Sequence, residues 1–180
     1  KSNITVTNCE VYNNNCCGIE LQDGTASGVT MTGNNVHDNA DNGMGLTGMG
    51  GSVGPNLIAG NTLTNNGRFG IEVKLPGGNG TDVGAGSVVV ENNTVTFTAS
   101  PGMNNRDHAG IAVFRRGMLP GNTENNVDIP RGVVVRNNDV IGYTHLNGGA
   151  LNSQGFGIVI EGVDHTVSGN DLLNNDVGLQ

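Results

Sequence analysis

Apolar residues recur along this chain in short alternating runs bounded by Asn and Gly. Between Val29 and Leu46, Val29 and Met31 alternate with Thr30 and Thr32, Val36 follows an asparagine turn, and Met44 and Leu46 follow Gly43. Alternation of period two over four or five residues signals a strand, and nothing here has the period or caps of a helix. The layout repeats. Aligned on the turn, Cys9, Asn34, Asn61, Asn93, Asn138 and Asn170 form one column, and Gly18, Gly43, Gly70, Gly110, Gly157 and Gly178 form a second. Intervals along the Asn column are 25, 27, 32, 45 and 32 residues.

Self-similarity at this period is the mark of a solenoid. Three strands per repeat, joined by turns too short for helical crossovers, predict an all-β right-handed parallel β-helix of about six coils. Each strand then pairs with its equivalent one coil away, at about 4.8 Å. Asn suits the column because it tolerates left-handed backbone and bonds nearby main chain. Stacked Asn amides can also satisfy one another where water is excluded. Residues 1–180 read as one β-helix domain with long insertions near 98–109, 115–131 and 143–156. The chain opens three residues before a strand and closes within a strand column, with no polar cap at either end. A segment of a longer protein is therefore expected, the rival being ends that stack on neighbouring subunits.

Composition fits a narrow bore. Aromatics make up 3% and Trp is absent, too few for a conventional globular core, while 31 glycines suit tight coils. The regular aliphatic spacing argues against disorder. No export signal, transmembrane run or lipidation motif is visible, so no membrane insertion is expected. Cys9 falls in the Asn column. Alternation back from Ile19 turns Cys17 inward and Cys16 outward. Small residues in a tight coil, or a disulfide within the first coil, would account for the three cysteines, and no metal site is expected of them. "DNADNG" around Asp38 and Asp41 reads as a turn rather than a calcium loop. Three glycosylation sequons, at Asn3, Asn79 and Asn92, arise readily in an Asn-rich coil.

Charge is uneven. The formal total is −8, yet the window from Arg68 to Arg131 holds six of the eight basic residues and is neutral overall. Acidic flanks exclude nucleic acid as a natural partner and suit a secreted or cell-surface protein, the periplasm included. The same window carries the insertions, which in solenoids often build a binding face. Alternation with Ile71, Val73, Ile111 and Val113 inward turns Glu72, Lys74 and Phe114 outward. Arg68 and His108 are expected outward at equivalent positions. One patch of Arg68, Glu72, Lys74, Asp107, His108, Arg115 and Arg116 follows, overhung by Tyr143 and His145.

The repeat grammar N-x-[VL]…G-[IM]-x-[VL] resembles that of the pectate-lyase-like superfamily, particularly its carbohydrate-binding and sugar-hydrolase repeats. Similar repeats occur in uronan epimerases and alginate lyases, and in periplasmic accessory proteins of the nitrous-oxide reductase system. The resemblance covers the whole chain and implies a face that acts on or binds an acidic polysaccharide. "NNRDHAG" is similar to the Asp-x-His stretch of mannuronan epimerases, without the intervening residue. Lyases and epimerases remove the proton beside a uronate carboxylate, which requires a cation and a base. Arg68, Arg115, Arg116 or Ca²⁺ could supply the first. His108, Lys74 or Tyr143 could supply the second. Glu72 with Asp107 is the weaker, glycosidase-like pair. The alternative class is a noncatalytic β-helix of a large surface protein, with end-to-end or lateral self-association.

Overall fold

The computed structural model describes residues 2–21, 27–47, 56–74, 88–98, 107–114, 130–145 and 154–180. Among these residues there are eighteen strands and no helix, hence none long and apolar enough to cross a membrane. Coil one holds β1 (Ser2–Thr7), β2 (Glu10–Tyr12) and β3 (Ile19–Leu21). Coil two holds β4 (Ser27–Thr32), β5 (Asn35–His37) and β6 (Met44–Thr47). Coil three holds β7 (Asn56–Ala59), β8 (Thr62–Thr64) and β9 (Phe69–Lys74). Coil four holds β10 (Val88–Glu91), β11 (Thr94–Thr96) and β12 (His108–Phe114). Coil five holds β13 (Val133–Arg136), β14 (Asp139–Ile141) and β15 (Gln154–Ile160). Coil six holds β16 (Thr166–Ser168), β17 (Asp171–Leu173) and β18 (Val177–Leu179). Equivalent strands stack in parallel as three six-stranded sheets, giving the expected six-coil parallel β-helix. β12 and β15 begin at His108 and Gln154, inside the bounds expected for insertions.

The bore is filled by one apolar column per inward position. Val29 and Met31 face it from the first sheet, Val36 and Leu63 from the second, and Ile71, Val73 and Ile111 from the third, all buried. Around this bore the asparagine column forms a continuous ladder. The backbone N–H and Nδ2 of Asn34 both donate to Asn61 Oδ1, at 3.0 and 2.9 Å. Asn61 does the same to Asn93, Asn93 to Asn138, and Asn138 to Asn170. Cys9 joins the ladder through its backbone N–H, which donates to Asn34 Oδ1. Each ladder residue follows one with positive φ, between 53° and 66°: Asn8, Gly33, Gly60, Asn92, Asn137 or Gly169. Only Gly and Asn enter that region readily, which is why the corner reads Asn-Asn or Gly-Asn.

A second ladder runs along the corner between the second and third sheets. Asn14 Nδ2 donates to Asn39 Oδ1 and Asn39 Nδ2 to Asn66 Oδ1. It stops at coil four, where Phe97 enters the core. At coil five Tyr143 takes the ladder position, and its N–H donates to Asn175 Oδ1. The space freed by the missing amides is filled by the rings of Phe97, His108 and Tyr143, with centroids 4.4 to 5.6 Å apart.

The glycine column has a steric cause. A Cβ on Gly110 would lie 2.1 Å from Val140 Cγ1 and 2.8 Å from the Gly157 carbonyl oxygen. A Cβ on Gly70 would meet Val95 Cγ1 at 2.2 Å and the Gly110 carbonyl at 2.7 Å. Both glycines therefore face the bore, and so do Ile71 and Ile111 after them. Two successive inward residues break the alternation at this corner. Gly110→Ala should destabilise the fold by about 2 kcal/mol through overpacking against main chain that cannot yield. Urea unfolding would show this as a lowered midpoint, and an unchanged midpoint would mean the coils can separate locally.

Candidate functional site

Among the described residues, the outer side of the third sheet holds the ion pairs of Arg68 and Lys74. On β9, Glu72 and Lys74 both point away from the bore, with Lys74 Nζ 3.3 Å from Glu72 Oε2. Glu72 has no exposed surface. Its Oε2 also accepts a 2.6 Å hydrogen bond from Asn42 Nδ2, one coil below. Arg68, just before β9, places Nη2 2.9 Å from Asp107 Oδ2 and Nη1 3.9 Å from Asp41 Oδ1. Its guanidinium lies over the Phe69 ring, 4.9 Å from the centroid. Phe69 meets Phe114 edge-on at 5.3 Å. With Ala109, Ala112, Phe156 and Val159 they form a second apolar cluster, outside the bore.

The expected patch is thus assembled in part. Arg68, Glu72, Lys74, Asp107 and Phe114 share one face. His108 and Tyr143 do not. His108 pairs in register one residue before Ala109, which matches Phe69, so its alignment with Arg68 holds. Its direction is the reverse of the one expected. Because Gly110 and Ile111 both face the bore, Ala109 turns outward and His108 turns back inward. The ring is 1% exposed, wedged between Phe97 and Tyr143. Burial pushes its pKa down to about 4, opposed by the nearby Thr144 backbone, yet neither ring nitrogen makes a well-formed hydrogen bond among the described residues. Tyr143 is a core residue whose burial pushes its pKa upward. Neither can exchange protons with a polymer lying on the surface. His145 is half-buried on coil five and its N–H donates to Asp176 of coil six. Arg115 and Arg116 lie outside the described residues.

The same break in alternation moves Cys17. It is half-buried on the outer side, its Sγ 3.5 Å from that of Cys16, rather than directed into the bore.

Two partners escaped the sequence reading. Asp41 and Asn42 looked like turn residues, yet they complete the Arg68 and Glu72 interactions. Strand register would have found them, since Met44 pairs with Ile71 and so aligns Asp41 with Arg68. Among the described residues, Glu72 Oε1, Asn42 Oδ1 and Arg68 Nε are buried without a hydrogen-bond partner.

The connections are unequal around this face. Long segments, residues 75–87, 99–106, 115–129 and 146–153, lead into or out of β9, β12 and β15. The corner between the first and second sheets is closed by two residues in every coil.

A family model described as the right handed beta helix region matches residues 1–53, the first two coils. No curated protein and no solved structure matches the chain.

Proposed function

We propose that this right-handed parallel β-helix binds an acidic polysaccharide along the outer face of its third sheet, at an extracellular or cell-surface location. The observation that carries this reading is the pair Arg68 and Lys74. Arg68, just before β9, and Lys74, at its end, are each one-fifth exposed and oriented by a carboxylate, Asp107 or Glu72. Cations held by neighbours keep their geometry when a uronate carboxylate arrives, so less side-chain freedom is lost on binding. If uronate turnover by lyase or epimerase chemistry occurs here, Lys74 is the described candidate base that remains on this face. Ca²⁺ would then be a competitor of Arg68 and Lys74 for the same carboxylates. The second reading, a noncatalytic β-helix of a surface protein, is favoured by the burial of His108 and Tyr143.

Affinity electrophoresis through alginate, polygalacturonate and a neutral dextran tests the proposal. Retardation is expected in the acidic gels only. Lys74→Met should weaken it about tenfold, on the order of 1.4 kcal/mol. Arg136→Met, which breaks an exposed pair with Glu91 on the first sheet, should leave it unchanged. Equal retardation of wild type and Lys74→Met, or none in either acidic gel, rejects the assignment. Unsaturated-product absorbance on the same polymers separates a lyase from a binding protein.

A further inference from the structure

We propose that Cys16, Cys17 and Glu20 form a binding site for a soft or borderline divalent cation of the Zn²⁺ and Cd²⁺ class, at the corner leading into β3. One ligand atom from each residue lies within 4.8 Å of the other two. The two sulfurs are 3.5 Å apart. Bonds of about 2.3 Å at a tetrahedral metal put two thiolates about 3.8 Å from each other, so the pair needs only a small adjustment to share an ion. Glu20 supplies the oxygen, and three protein ligands leave a fourth position for water or a further ligand.

The coil geometry builds this arrangement. The break in alternation at Gly18 turns Cys17 to the same side as Glu20. Asn42, one coil up, fixes the corner: its carbonyl accepts the Gly18 N–H at 2.9 Å. Beside Glu20 in the register stands Gly45, whose absent side chain leaves room. A Cβ there would lie 3.7 Å from Glu20 Cγ and 3.8 Å from Oε1. Cys9 is not part of the cluster; its thiol donates to the Thr7 carbonyl. The charge is favourable, since two thiolates and a carboxylate exceed the charge of a divalent ion.

Binding converts two S–H groups to two sulfur–metal bonds and releases two protons to the buffer. Affinity should therefore rise steeply with pH, as it does wherever a ligand must lose a proton.

The test is titration of the reduced, metal-free 180-residue chain with Cd²⁺, read by the ultraviolet cadmium–thiolate charge-transfer band. One equivalent is expected to saturate the band. Cys16→Ser and Cys17→Ser should each weaken binding at least tenfold. Glu20→Gln should weaken it while preserving the two-thiolate band, and Cys9→Ser should change nothing. All four positions lie at least partly exposed, and unchanged melting without metal would confirm that the variants fold. Saturation at half an equivalent would mean two chains share an ion and would overturn the site. Dependence on Cys9, or affinity unaltered by Cys16→Ser, would overturn it as well.

Discussion

Asn93→Ala is expected to destabilise the β-helix by about 4 kcal/mol, the largest effect of any single substitution considered. Asn93 is buried at the midpoint of the ladder. Its Oδ1 accepts from the backbone N–H and the Nδ2 of Asn61, at 3.0 and 2.9 Å. Its Nδ2 donates to the Ile58 carbonyl and to Asn138 Oδ1, at 3.0 and 2.9 Å. Alanine removes four hydrogen bonds and leaves two donors of Asn61 facing apolar surroundings. A buried group left unpaired costs about 1–3 kcal/mol, far more than the net gain from making an ordinary hydrogen bond. The same change at Asn170, half-buried on coil six, should cost about 1 kcal/mol, because water reaches that position. Urea unfolding of both variants measures the difference. Equal losses at the two positions would show that the ladder does not act through burial.

Acid should weaken the protein through His108. The folded-state pKa is depressed, from 6.5 to about 4. Between those values the unfolded chain binds a proton that the folded chain refuses, so stability falls as pH falls through that window. Above pH 6.5 the contribution is complete and flat. A shift of this size corresponds to about 3 kcal/mol lost by pH 4. His165 is also pushed down, by its own burial, and adds a loss of the same sign. His37 is pushed up, first by its hydrogen bond to Asp38, so its contribution has the opposite sign: present at low pH and lost as pH rises through the folded value. His108→Leu isolates the one group. The variant should lose less stability than wild type between pH 6.5 and pH 4, by most of that amount. Parallel stability curves for the two proteins would mean that the imidazole titrates normally. His108→Leu should also leave polysaccharide retardation at pH 7.5 unchanged, since the ring lies in the bore.

The repeat was legible because each position in a coil obeys a local rule. The residue before each ladder position must enter left-handed backbone, which selects Gly or Asn. The column Gly43, Gly70, Gly110 and Gly157 must lack a side chain, because the next coil's carbonyl sits 2.7 or 2.8 Å from where a Cβ would be. Rules of this kind leave a mark in every repeat, so six coils of three strands could be counted before any coordinates. The second ladder was less legible. Asn14, Asn39 and Asn66 follow the same rule, but in register the column passes through Thr98 and Tyr143 before Asn175 resumes it.

The candidate site divides along the same line. Glu72, Lys74 and Phe114 follow Gly70 or Gly110 within a strand, where alternation is strict, and their outward direction could be read residue by residue. Cys17 and His108 precede the glycine, across a corner where two successive residues face inward. No property of those two residues reveals that inversion. It depends on how closely Val36 and Val140 approach the corner from the second sheet. The partners Asp41 and Asn42 are likewise 27 and 30 residues from the side chains they meet. Sequence determined the parallel β-helix, the register of its coils and the strand faces, because backbone conformation and steric exclusion act within one repeat. Tertiary structure alone decided which side chains share a corner, because that follows from the stacking of one coil on the next.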